Sequence, residues 1–156
     1  MNTKLALIES GSTLFRILDA IADATNIVLA LWLLAVLVLG TKNKTLAGKA
    51  WLAALLPIAL VYIIKTLDSK LNLWQRIGAD YSTHSALAAA LVIALCVLDK
   101  PRRAIAVAIF IVYEILIWLL GFHTLLDIGS TLLVVMPLFW LIHSSLNKPK
   151  IATLAS

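Results

Sequence analysis

Asp80-Tyr81-Ser82-Thr83-His84-Ser85-Ala86-Leu87 decides how this chain reads. A carboxylate, several hydroxyls and an imidazole run straight into an apolar stretch that reaches Leu98 without a Lys, Arg, Asp or Glu. That stretch is too long for a strand and lacks strand alternation, so it reads as a helix over 82–98. Ser82 is placed to cap it, leaving the backbone N–H groups of Thr83, His84 and Ser85 at the positive end of the helix dipole. Such a terminus accepts anions, phosphate above all. The competing reading is an ordinary Ser-Thr cap with His84 bonded to a neighbour.

Outward from this stretch the chain is greasy. Of its 156 residues 62% are apolar and 13% charged, and the mean hydropathy is +1.01. A soluble domain of this size needs more charge to cover its surface, so composition points to an integral membrane protein. Further apolar segments fall at about 20–40, 47–67, 104–122 and 125–142, each near the roughly 17–25 residues that cross a bilayer as helix. The expected fold is all-α: a bundle of about five transmembrane helices over 20–147, in one domain. Pro57 and Pro137 fall inside two of the segments, which membrane helices tolerate. The single cysteine, Cys96, excludes an intramolecular disulfide.

Residues 1–19 mix Lys4, Glu9, Arg16 and Asp19 with Leu14, Ile17 and Leu18 on one helical face. They are expected to form an amphipathic helix in the interface or packed on the bundle. Glu9 interrupts the apolar stretch that a signal peptide needs. Residues 148–156 are expected to form a basic tail.

The net charge of +5 matters through its placement. Lys42, Lys44, Lys49, Lys100, Arg102, Arg103, Lys148 and Lys150, eight of the thirteen basic residues, share one side if the chain crosses five times. That side is cytoplasmic by the positive-inside rule, and nucleic-acid binding is not expected. The turn at Asp80 then faces outward, to the periplasm of a bacterium, with the chain in its inner membrane. So does a second polar stretch, Gly121-Phe122-His123-Thr124-Leu125-Leu126-Asp127. His123 and Asp127 are four apart, which on a helix puts them on one face. A carboxylate on one ring nitrogen fixes the tautomer and leaves the other nitrogen a better base or nucleophile.

Ser82-Thr83-His84-Ser85-Ala86-Leu87 resembles the Pro-Ser-Gly-His-Ser motif of the type-2 phosphatidic acid phosphatase superfamily. Gly121-Phe122-His123 through Asp127-Ile128 resembles the second half of its Ser-Arg-x5-His-x3-Asp motif. The resemblance covers about residues 61–142 and implies a membrane lipid phosphatase that works without metal or other cofactor. In that scheme His123 is the nucleophile, Asp127 orients it, and His84 is the acid and then the base. Ser82, Thr83 and Ser85 would help bind phosphate. The same residues are similar to the motifs of the sphingomyelin-synthase group, lipid phosphotransferases with a His–His–Asp triad.

The chain departs from the superfamily at defined places. Tyr81 and Thr83 stand for the motif's Pro and Gly, and Asn72-Leu73 for an Arg-Pro pair separated from Lys65 by six residues. Leu116 and Ile117 occupy the Ser-Arg positions before His123. A guanidinium there would clamp the charge of the transition state, so Lys65, Lys70 or Arg76 is expected to supply it. Glu114, about 10 Å below the outer end of its helix, is expected to pair with Lys65 and modulate the site. A metal site of Glu114, His84, His123 and Asp127 is the alternative use of that carboxylate.

His143 is expected at the cytoplasmic interface, and the five tryptophans mostly at headgroup level. The leading functional expectation is hydrolysis of a lipid phosphate or diphosphate monoester at the outer leaflet. The alternatives are a turnover-free membrane subunit that binds lipid or a partner protein, and a lipid phosphotransferase. Membrane lipids, and a second copy or another membrane protein, are the expected partners.

Overall fold

The computed structural model describes residues 12–40 and 44–146. Five α-helices follow one another: α1 (Thr13–Leu39), α2 (Lys44–Leu71), α3 (Thr83–Leu98), α4 (Arg103–Leu119) and α5 (Leu125–Leu146). Short 3-10 turns lie at Gln75–Ile77 and Lys100–Arg102, and no strand occurs among the described residues.

The bundle is arranged around α3, which packs against each of the other four helices. Its sequence explains why. Ala86, Ala88, Ala89, Ala90 and Ala94 are all buried, and small side chains let neighbouring backbones approach closely. Leu91 and Leu95 fill the remaining space toward Leu29 and Leu33 of α1 and Ala54 of α2. On the opposite flank Val61 of α2 and Val135 and Phe139 of α5 close the core. Outward faces stay greasy: Val28, Leu31 and Val38 on α1 and Leu133 and Trp140 on α5 are all exposed.

Three helices, α1, α2 and α5, are long and apolar enough to cross a membrane. Helices α3 and α4, of 16 and 17 residues, rise only about 24–26 Å, short of the roughly 30 Å hydrocarbon thickness. The expected five equal crossings are therefore three long helices and two shorter ones. The shortest, α3, is the one most enclosed by protein.

The start of α1 falls within the expected interfacial segment. Ser12 caps it, accepting a hydrogen bond from the Phe15 N–H at 3.1 Å, and the helix runs unbroken from Thr13. Residues 13–19 are thus the first turns of a long helix, and residues 1–11 lie outside those described, as does the tail from 147. At the other end the Gly40 N–H donates to the Val36 carbonyl, and a Cβ at Gly40 would run into that same oxygen.

The link from α2 to α3 is folded under the bundle. Asn72 takes a left-handed conformation (φ 52°), and the Asp68 carboxylate accepts from the Trp74 N–H at 2.9 Å. Trp74 then meets Tyr81 edge-on, with ring centroids 4.8 Å apart. The Tyr81 hydroxyl donates to the Val61 carbonyl. Trp74, expected at headgroup level, is buried for this reason. His143 is likewise buried rather than interfacial, only 2% exposed on α5, and neither ring nitrogen has a hydrogen-bond partner among the described residues.

The end of the bundle opposite the α3 start is clamped by Asp99. Its Oδ2 accepts from the Trp32 indole N–H of α1 at 3.0 Å and from the Arg102 guanidinium at 3.0 Å. Burial works against ionisation, but the bonds from Arg102 and Trp32 outweigh it and hold the carboxyl below its ordinary value of 3.8. The clamp's contribution is then present at pH above about 4 and is lost as pH falls through the lowered native value. Thermal melts of the wild type and Asp99→Asn should differ at neutral pH and converge in acid; an unchanged gap at low pH would contradict the assignment. In the same assay Ala90→Leu should destabilise by about 1–3 kcal/mol, because it adds three heavy atoms at a fully buried position packed against neighbouring helices.

Candidate functional site

The site is built at the end of the bundle where α3 and α5 begin and α2 and α4 finish. Its second half starts with the way α4 stops. Gly121 sits in the left-handed region (φ 73°), its N–H donates to the Trp118 carbonyl, and the Phe122 N–H donates to the Ile117 carbonyl. This is a Schellman ending, for which glycine is suited because it lacks a Cβ. It turns the chain sharply and places His123 in the short connection before α5, where the expected segments 104–122 and 125–142 leave it.

Thr124 and Asp127 then form a reciprocal cap on α5. The Thr124 N–H donates to Asp127 Oδ2 at 2.8 Å, and the Asp127 N–H donates to Thr124 Oγ1 at 3.1 Å. The other carboxylate oxygen, Oδ1, accepts from the Asp80 N–H at 2.8 Å, across 47 residues of sequence. His123 Nδ1 lies 3.6 Å from Asp127 Oδ2, close enough for charge attraction and longer than a good hydrogen bond. One buried carboxylate thus joins the two polar stretches and faces the histidine.

The first half is held from behind. Ser82 caps α3: its Oγ accepts from the Ser85 N–H at 3.3 Å and donates to Ser85 Oγ at 2.8 Å. Ser85 Oγ in turn donates to Glu114 Oε2 of α4 at 2.6 Å. The Ser82 N–H donates to Thr131 Oγ1 of α5 at 3.0 Å. Three helices are therefore stitched to one turn. Ser82 and Ser85 are fully buried in this network, which removes them from the phosphate-binding role expected of them. Glu114 is bonded to Ser85, not to Lys65; its Oε1 has no hydrogen-bond partner among the described residues.

What the network presents outward is a cavity of about 390 Å³. His84 and His123 line it, with ring centroids 6.4 Å apart, together with Thr83 and Lys65. Tyr62, Tyr81 and Leu87 complete the wall. Burial, with the nearby Asp68 charge, pushes the Tyr81 phenol up, so it stays neutral at physiological pH. Lys65 extends from α2 and is exposed, whereas Lys70 and Arg76 are exposed outside this lining. Among the three cations expected near phosphate, the structure brings Lys65 alone to the cavity. Leu116 and Ile117 are core residues packed with Ala22 and Tyr113.

No group of three or more His, Cys, Asp and Glu side chains among the described residues is placed to hold a metal ion. Glu114 and Asp127, two of the four ligands in the metal alternative, are bonded into the network that joins the helices. Two residues escaped sequence reasoning. Thr131 lies one helical turn beyond Asp127 on the same face, a spacing that could have flagged it. Tyr62 carried no signal beyond its helical spacing of three from Lys65.

Comparison of the chain with family models, with curated proteins and with solved structures finds no match.

Ser85→Ala removes the one hydrogen-bond donor shown on the Glu114 carboxylate. It should lower stability by about 1–3 kcal/mol, while Ser69→Ala on the exposed face of α2 should change it little. Equal melting temperatures for the two variants in detergent would contradict the role given to the Ser85–Glu114 bond.

Proposed function

We propose that this chain is a membrane lipid phosphatase, hydrolysing a phosphate or diphosphate monoester of a lipid through a phosphohistidine on His123. The observation that carries the reading is the shared cavity of His84, His123, Thr83 and Lys65, with Asp127 behind His123. The resemblance of 82–87 and 121–128 to the phosphatidic acid phosphatase motifs supports it.

The chemistry assigns one task to each group. Asp127 attracts the Nδ1 side of the His123 ring, which leaves Nε2 for attack on phosphorus. The bond from phosphorus to the lipid oxygen breaks, and His84 gives that oxygen a proton. His84, now neutral, takes a proton from water as the water attacks phosphorus. The P–N bond breaks and inorganic phosphate leaves with His123 restored. Two histidines suit these steps because imidazole titrates near neutral pH. Lys65 supplies the positive charge over the phosphoryl oxygens that an arginine supplies in the resembled superfamily, and Thr83, at the amino end of α3, adds donors.

In this proposal the chain crosses the bilayer five times, α3 and α4 being shielded by their neighbours where they are short. The Lys100–Arg103 end is cytoplasmic and the histidine cavity opens at the outer leaflet, in keeping with the basic residues gathered at the former end. The substrate is then a lipid already in the membrane, with its headgroup at the depth of the cavity.

A second reading has its own support: a protein that binds lipid phosphate without turnover. It is favoured by Leu116 and Ile117, core residues where the superfamily carries its Ser-Arg pair, and by the lack of any arginine on the cavity wall.

Purified protein in detergent should release inorganic phosphate from lipid phosphates in the presence of a chelator. His123→Ala and His84→Ala should lower the rate by about 10²–10⁴-fold, and Lys65→Gln by about 10²-fold or more. Phosphate-lipid binding with no turnover across a panel of lipid phosphates would favour the second reading; full activity in His123→Ala would refute the nucleophile.

A further inference from the structure

A second cavity lies at the opposite end of the bundle, with a volume of about 310 Å³. Its lining combines three kinds of chemistry. Ala35, Val36, Leu39 and Leu98 are apolar, Trp32 presents an indole, and Asp99 and Arg102 carry opposite charges. The two charged groups differ in exposure: the Asp99 side chain is 7% exposed and the Arg102 side chain 64%. Both side-chain hydrogen bonds to Asp99, from Trp32 and from Arg102, fall on Oδ2. No side chain among the described residues donates to its Oδ1, and the Arg102 backbone N–H adds to the bonds that favour the charged carboxylate. Arg102 carries five N–H donors, of which one bonds to Asp99.

We propose that this cavity is a binding site for a zwitterionic phospholipid headgroup that carries a primary ammonium. The ammonium sits at Asp99 Oδ1 beside the Trp32 indole, the phosphate meets the outward donors of Arg102, and the acyl chains lie along α1. Each alternative ligand class meets an obstacle in the same lining. A purely anionic headgroup would place its charge against the buried Asp99 carboxylate. A simple cation would face Arg102. A polar soluble metabolite would leave the Ala35–Leu39 wall uncovered. That wall instead continues onto the exposed apolar face of α1 at Leu31, Leu34 and Val38, as an entry from lipid requires.

The order of charges suits the ligand as well. The phosphate of a phospholipid is bonded directly to the headgroup amine's short linker, so a cation site and an anion site must lie side by side. Asp99 and Arg102, one helical turn apart and 3.0 Å from each other, are side by side. An indole beside the carboxylate adds a face on which an ammonium is attracted. A primary ammonium donates a charge-assisted hydrogen bond to Oδ1, which a fully methylated one cannot do. This site stands apart from the histidine cavity and does not depend on the phosphatase reading.

The test is lipid retention on the purified full chain by native mass spectrometry, with dioleoyl phosphatidylethanolamine, phosphatidylcholine and phosphatidylglycerol as probes. The ethanolamine lipid should be retained about tenfold or more over phosphatidylglycerol, the scale of one charge-assisted bond, with phosphatidylcholine between them. Asp99→Asn should abolish the preference, Arg102→Gln should weaken retention, and Lys100→Gln, outside the lining, should leave both unchanged. Asp99 also clamps α1, so Ala35→Phe, which fills the cavity without touching the carboxylate, decides the matter if Asp99→Asn fails to fold. Equal retention of the three lipids, preference for phosphatidylglycerol, or a full ethanolamine preference in Ala35→Phe would each overturn the proposal.

Discussion

The Asp127 carboxylate is the group on which the site depends. It accepts backbone N–H groups from Asp80 and Thr124 while facing His123. In a bundle of greasy helices, a buried carboxylate is costly unless its lone pairs are occupied. Here the occupation is also the architecture. The amide at 80 fixes the turn that leads into α3, and the amide at 124 fixes the start of α5. The imidazole is left facing the cavity in between. Removing the charge would release two loops from each other as well as one ring from its partner. A purely electrostatic account of Asp127 therefore understates it.

Behind that pair, the buried chain from Ser82 through Ser85 to Glu114 performs the matching task for His84. Its members face one another and the helices, not the cavity, so the lining carries few polar groups: two imidazoles, a hydroxyl, a lysine and two phenols. Separating the residues that hold the turn from those that line the cavity gives a polar site in which Asp127 and Glu114 are bonded to amides and a hydroxyl. The opposite end repeats the logic with Asp99, which joins α1 to the α3–α4 turn and lines a second cavity. Both ends thus use a carboxylate to close the bundle, where short connections leave backbone groups to satisfy.

Much of this was legible from local chemistry. Ser82 as a cap, the helical character of each apolar segment and the closeness of His123 to Asp127 follow from spacing and composition alone. What the chain could not reveal is which distant groups satisfy each other. Nothing local says that Asp80 donates to Asp127, or that Glu114 prefers the Ser85 hydroxyl to the longer, solvated Lys65. Helix starts were harder to place: Ser12 caps α1 within a stretch that reads as an interfacial segment. His143 is buried by its neighbours on other helices, which its own flanking residues do not signal. The apolar character of α3 has a related cause: this helix is enclosed by protein, so its composition answers to burial.

The central claim is that His123 forms the covalent bond to phosphorus. Its most direct test is to quench the protein with a lipid phosphate during turnover, at alkaline pH where phosphohistidine survives, and to locate the adduct by peptide mass spectrometry. The account predicts a phosphoryl group on His123, accumulating further in His84→Ala because the second step lacks its base. Phosphate release without any adduct on His123, or an adduct on His84 instead, would contradict it.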